Sequence, residues 1–152
     1  MNEPYLLPED RGAAEVRIAE LERHIQELGE DFRDAFSQSS ETWHDNSPFE
    51  AVRDKQSMYA AELHQLRTLL RSSTLIPPKR KRGCAGVGSV VTLQGGRTYK
   101  IAGDWTHRVG KHADGIFYVS SLAPVAQILI GKKVGDSVTF GSVQSTIAAI
   151  QD

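Results

Sequence analysis

The sequence predicts an α+β protein in two parts, a helical hairpin followed by a small antiparallel β domain with one short helix. Three observations predict it. Apolar residues up to residue 75 recur every three or four positions, those after residue 88 alternate, and a Pro/Gly-rich stretch separates the two patterns.

The first helix is read from Ala14, Ile18, Leu21, Ile25, Leu28, Phe32 and Ala35, whose spacings alternate between four and three. That is the 3.5-residue period of a coiled-coil seam. Ser37–Ser40 interrupts it, and the pattern resumes at Phe49, Val52, Gln56, Tyr59, Leu63, Leu66 and Leu70. Gln56 is the polar intrusion, and a polar seam residue can fix register. The connection is short, so the two helices should run antiparallel. Ile18 then faces Leu66, Leu21 faces Leu63, Ile25 faces Tyr59, and the chain folds back near residue 42. Ser47-Pro48-Phe49-Glu50 is a capping box with proline at the first helical position, which marks where the second helix starts. Two helices alone bury little, so this part should be a rod of roughly 40 Å at 1.5 Å per residue.

Charge divides the chain at the same place. Residues 1–75 hold 8 Lys or Arg against 15 Asp or Glu, a net of −7, and residues 76–152 hold 10 against 4, a net of +6. Opposite charges on two parts point to different electrostatic surroundings for each. No apolar run approaches the roughly 20 residues of a membrane helix. The start, MNEPYLLPEDRG, lacks the basic and apolar regions of a secretory signal. The single cysteine, Cys84, excludes an intramolecular disulfide and fits a cytoplasmic protein. The expected division is 1–75 as hairpin with its tip near 40–47, 76–87 as linker, and 88–152 as β domain.

Within the linker, Pro77-Pro78 stops the second helix, and Lys79, Arg80, Lys81 and Arg82 form a basic run. Such a run is most often a solvated linker, with contact to an RNA or DNA backbone as the minority reading. Beyond it, residues 89–93, 97–102, 115–120, 136–140 and 143–150 alternate as strands do. Gln94-Gly95-Gly96 and Gly141-Ser142 are turn signals, and PVAQILIG holds a short helix starting at Pro124.

An acidic-tipped hairpin followed by such a β domain resembles the bacterial Gre transcription elongation factors. The resemblance is carried by SSLAPVAQILIGKKVGDSVTF (120–140), where Pro124, Leu129, Gly131, Lys132, Gly135 and Asp136 match the family pattern. YKIAGDW (99–105) resembles the family's strand running into a Gly-Asp turn, and DNSPFEAVRD (45–54) resembles its tip. The resemblance implies an FKBP-like β domain that docks on bacterial RNA polymerase through Ser121, Leu122, Ala123, Pro124 and Val125. It also implies a monomer whose coiled coil enters the polymerase secondary channel. Glu41, Thr42, Trp43, His44, Asp45 and Asn46 would then lie at the polymerase active site, near the RNA 3′ end. No cofactor intrinsic to the chain is expected. Any Mg²⁺ would be shared with the polymerase, held on this side by Asp45 and Glu41.

One departure bears on activity. Cleaving Gre factors carry Asp-x-x-Glu before the tip asparagine, and here Asp45 takes the second acidic position while Thr42 stands at the first. A neutral hydroxyl is a poor Mg²⁺ ligand, and Asp45 is one methylene shorter than Glu. The expectation is a non-cleaving, divergent paralogue that modulates transcription by inhibition. Cleavage assisted by Glu41 and Asp45 is the alternative. A generic helical-hairpin interaction module and an FKBP-like prolyl isomerase are the competing classes, the latter requiring a deep aromatic pocket. His107, His112, Asp104 and Asp114 fit no metal-ligand spacing and read as solvated loop residues.

Overall fold

The computed structural model describes residues 3–39 and 47–152, and for 35–39 and 47–49 the backbone alone. The chain divides into two units, Gly12–Arg71 and Met1–Arg11 with Ser72–Asp152.

The first unit consists of most of α1 (Pro8–Ser39) and α2 (Ser47–Ser72). The second helix begins at the serine that opens the capping box. Leu21, Leu28, Leu63 and Leu66 are buried as the seam requires, while Ile18, Ile25 and Tyr59 are half-buried. Arg17 Nη2 meets Glu62 Oε2 at 2.9 Å, Arg67 Nη2 meets Glu22 Oε1 at 2.5 Å, and His24 stacks on Tyr59 with ring centroids 5.3 Å apart. The stack falls one residue from the expected Ile25–Tyr59 pair. Phe32 and Gln56 are exposed, so Gln56 does not act as a buried register-setting polar residue. The Arg17 guanidinium is held charged above its ordinary value, first by its hydrogen bond to Glu62. Both partners are more than a third exposed, so solvent screens the pair. Arg17→Gln is expected to cost under ~1 kcal/mol in urea unfolding, with the loss shrinking as salt is raised.

The second unit carries β1 (Val90–Leu93), β2 (Thr98–Ile101), β3 (Gly110–Lys111), β4 (Ile116–Val119), α3 (Pro124–Leu129), β5 (Ser137–Phe140) and β6 (Val143–Gln151). The sheet order is β3-β4-β2-β1-β6-β5. Alternation along β1 and β2 buries Val91, Leu93, Tyr99 and Ile101 on one face, where Ala126 and Leu129 of α3 pack with Val138 and Ile147. Gly95 and Gly96, at φ of 101° and 96°, make the β1–β2 turn that the sequence marked.

Three expectations are corrected here. The sheet is mixed, because β2 and β4 pair in parallel, Thr98 with Ile116 through Ile101 with Val119. The other four pairings are antiparallel. Residues 102–115 supply the long crossover that a parallel pair needs, and they carry β3, which alternation over two residues could not reveal. The linker is not free throughout. Cys84 and Ala85 are buried, Ala85 N–H donates to Lys132 O, and Gly131 N–H donates to Ala85 O.

The third correction concerns the N-terminus, assigned by sequence to the hairpin. Residues up to Arg11 belong with the sheet. Leu6 and Leu7 are buried, Tyr5 bridges Thr74, and Arg11 Nη2 donates to Ser73 Oγ at 2.8 Å. No helix among the described residues is long and apolar enough to cross a membrane.

Candidate docking site

The segment after β4 is held from several sides. Ser121 is buried, its N–H donates to Gly103 O at 2.9 Å, and its Oγ donates to Asp104 Oδ1 at 2.8 Å. Gln127 Nε2 donates to Ser121 O at 2.5 Å, and Ala123 N–H closes a turn on Ser120 O at 3.0 Å. Ala123 is extended at the helix boundary, and Pro124 occupies the first turn of α3, where its missing N–H costs nothing. The backbone is thereby fixed while Leu122 projects, 66% exposed, with Pro124 exposed and Val125 half-buried. Leu122 is thus a large apolar side chain held out on an ordered turn.

Gly103 and Asp104 are the hub beneath that turn. Asp104 N–H donates to Tyr5 O at 2.7 Å while its carboxylate receives Ser121. Gly103 lies so close to the N-terminal strap that a Cβ there would sit 2.0 Å from Tyr5 O. The strap, the Gly-Asp turn and the turn at Ser120–Pro124 are therefore one bonded stack. Beside it opens a groove of about 650 Å³, lined among others by Tyr5, Ile76, Pro78, Asp104 and Leu122. Leu75 and Ile76 are both 76% exposed, which extends the apolar surface beyond Leu122. Sequence reasoning placed residues 76–78 in a passive linker and missed this contribution.

A second cluster ties the strap down. Asp10 is 1% exposed, and its Oδ1 accepts from Thr106 Oγ1 at 2.9 Å, His107 N at 3.1 Å and His107 Nδ1 at 2.5 Å. His107 is thus a clasp residue, with its side chain still 38% exposed. His112 Nε2 meets Arg108 O, and Asp114 accepts from Ile116 N–H and the Tyr118 hydroxyl. The Ile116 bond, chiefly, holds the Asp114 carboxyl below its usual range. Among the described residues no group of three or more His, Cys, Asp or Glu could hold a metal ion.

The remaining sequence candidates divide. Glu41, Thr42, Trp43, His44, Asp45 and Asn46 lie outside the described residues. In the basic run, Arg80 is taken by Ser89 Oγ at 2.7 Å and Asp152 Oδ2 at 2.9 Å, whereas Lys79, Lys81 and Arg82 are exposed. Tyr99, Phe117 and Phe140 pack ring against ring at 5.6 and 6.2 Å as part of the core.

The fold and this site define a class, a two-unit protein with a helical hairpin and an α+β sheet unit that presents a fixed apolar turn. Comparison with known proteins assigns a family to the C-terminal part of the chain. Residues 80–151 match the family model for the C-terminal domain of the transcription elongation factors GreA and GreB. Transcription elongation factor GreA of Paracoccus denitrificans (strain Pd 1222) is 32% identical over 99 residues, which cover 62% of this chain and 60% of the relative. GreA of Streptococcus pyogenes serotype M5 (strain Manfredo) is 33% identical over 106 residues, which cover 67% and 64%. The chain thus spans about 60% of the length of the first of these curated relatives. Among solved structures, GreA factor homolog 1 (Gfh1) of Thermus thermophilus aligns over 99% of this chain and all of its own, at 19% identity and a TM-score of 0.46. Residues 80–151 thus belong to the GreA/GreB C-terminal domain family, and the chain is similar to GreA factors over 62–67% of its length.

Proposed function

We propose that this chain is a regulator of bacterial RNA polymerase, not an enzyme in its own right. In this reading the sheet unit docks on the polymerase through Ser121, Leu122, Ala123, Pro124 and Val125, and the coiled coil enters the secondary channel. The observation that carries it is Leu122, exposed on a turn that Ser121 ties to Asp104 and Gln127, within a domain of the GreA/GreB family. A side chain so placed can enter a partner's apolar pocket without the ordering cost a mobile loop would carry.

The proposed outcome is inhibition or modulation of transcription. Thr42 stands where the cleaving pattern has an acid, so the tip supplies Asp45 with Glu41 one position out of place. Any Mg²⁺ involved would belong to the polymerase, with Asp45 and Glu41 as the chain's own ligand candidates. If Glu41 reaches the metal, the chain instead assists cleavage, which is the alternative reading. Lys79, Lys81 and Arg82 are candidates for contact with a nucleic-acid backbone.

The test uses purified bacterial RNA polymerase. The chain is expected to bind it, and Leu122→Asp is expected to weaken binding by at least about tenfold, as truncation of an interface anchor does. Because Leu122 is exposed, its unfolding curve should stay within ~0.5 kcal/mol of the parent. Unchanged affinity for Leu122→Asp removes this docking site. With stalled backtracked complexes and Mg²⁺, slowed elongation is expected, and release of short 3′ RNA fragments would establish the alternative.

A further inference from the structure

Four acids lie in residues 76–152, and each is already engaged. Asp104 receives Ser121, Asp114 receives Ile116 and Tyr118, Asp136 receives Lys133 N–H, and Asp152 pairs with Arg80. Among the described residues, Arg80 is the only one of the ten Lys and Arg in this stretch with a carboxylate within 4.0 Å. Glu3, Glu9, Asp10 and Arg11 belong to the same unit, so eleven Lys and Arg stand against seven Asp and Glu there, and a surplus of four positive charges remains.

Two of these cations are gathered on an aromatic surface. The Arg97 guanidinium lies 5.6 Å from the Phe117 ring centroid, and Lys111 Nζ lies 5.8 Å from it. Lys111 is held there by pairing of β3 with β4, directly opposite Phe117. Arg97 also lines a groove of about 290 Å³ between the β1–β2 and β5–β6 turns. Leu93, Phe140 and Val143 supply its apolar lining, and Gln94 and Ser145 its polar atoms. That volume is close to the roughly 300 Å³ lower bound of small-ligand sites, sized for one planar group. On the opposite face of β4, Arg108 covers Tyr118 at 4.3 Å, but there Asp114 and Glu9 bear on the ring and offset the charge.

We propose that the Arg97–Lys111–Phe117 face and the adjoining groove bind single-stranded nucleic acid, with a base against Phe140 and backbone phosphate on Arg97 and Lys111. An aromatic surface beside unpaired cations matches a ligand that is flat and anionic together. Duplex DNA is disfavoured, since its grooves take a protruding helix or β-ribbon and this surface is recessed. An acidic peptide would satisfy the cations and leave the groove without a ring.

The test is fluorescence anisotropy of the full chain with a labelled twelve-nucleotide oligouridine or oligodeoxythymidine at low salt. Binding of either strand is expected, weakening as salt rises, with a log–log slope that drops by about 1.4 in Arg97→Gln/Lys111→Gln, about 0.7 for each phosphate contact removed. That variant should lose roughly tenfold in affinity. Val143→Asp, at a position 62% exposed, should lose several-fold by placing a like charge beside the strand, and it stands in if the double variant unfolds early. Arg108→Gln should stay within about twofold. Four results would overturn the proposal: no binding of either strand, equal loss in Arg108→Gln, tighter binding of a duplex, or displacement by polyglutamate as effective as by unlabelled strand.

Discussion

Gly103→Ala is expected to destabilise the sheet unit by about 3 kcal/mol, the upper end of overpacking costs. The methyl group would sit 2.0 Å from Tyr5 O and 2.8 Å from the Tyr5 carbonyl carbon, and both are backbone atoms that cannot swing aside. Either the strap or the β2–β4 crossover must move. If the strap moves, the Asp104–Tyr5 hydrogen bond is lost and Leu6 and Leu7 are uncovered, at about 1.5–3 kcal/mol for each side chain fully exposed. If the crossover moves, Ser121 loses Gly103 O and Asp104 Oδ1 together, and the turn that carries Leu122 loses its base. The measurement is the urea midpoint at constant m-value. If the proposed docking through Leu122 holds, polymerase binding should weaken alongside it. A midpoint shift equivalent to less than ~0.5 kcal/mol would mean that the close approach of strap and turn is not formed in solution.

Asp10→Ala is expected to cost about 2–3 kcal/mol. The carboxylate is buried, and its removal strands the Thr106 hydroxyl and the His107 N–H, each worth about 1–3 kcal/mol when left unpaired. One term offsets this. Asp10 Oδ2 has no hydrogen-bond partner among the described residues, so part of the burial penalty it carries is relieved. Asp10→Asn keeps an acceptor for Thr106 and should cost less than the alanine variant. The order of the two urea midpoints is the readout, and an asparagine variant weaker than alanine would contradict the acceptor role. Gly103→Ala and Asp10→Ala act on the same strap, so the double variant should cost less than their sum.

Much of the sheet was legible because alternation is a local signal. The expected segments 89–93, 97–102, 115–120 and 136–140 contain β1, β2, β4 and β5 within one residue at each end, and α3 begins at Pro124 as the proline indicates. β3 was illegible, since its two residues, Gly110 and Lys111, carry no period. The parallel pairing of β2 and β4 was equally hidden, because direction depends on how the crossover is routed and not on either strand's residues. The docking role proposed for the turn at residues 121–125 comes only from resemblance to a family pattern. Nothing local in SSLAP distinguishes a contact turn from an ordinary helix entry.

Read alone, the sequence determined the two-part organisation, the seam of the hairpin, the strand segments and the opposed charges. These rest on periodicity and composition, which are properties of neighbours along the chain. Tertiary structure decided that residues up to Arg11 leave the hairpin for the sheet, that Cys84 and Ala85 are buried in it, and that Gly103 and Asp104 join the strap to the turn that carries Leu122. Asp10 with His107, and Gly103 with Tyr5, lie more than ninety positions apart, so each contact depends on two segments that carry no mark of one another. Burial and the need to pair buried polar groups, acting across that separation, selected them.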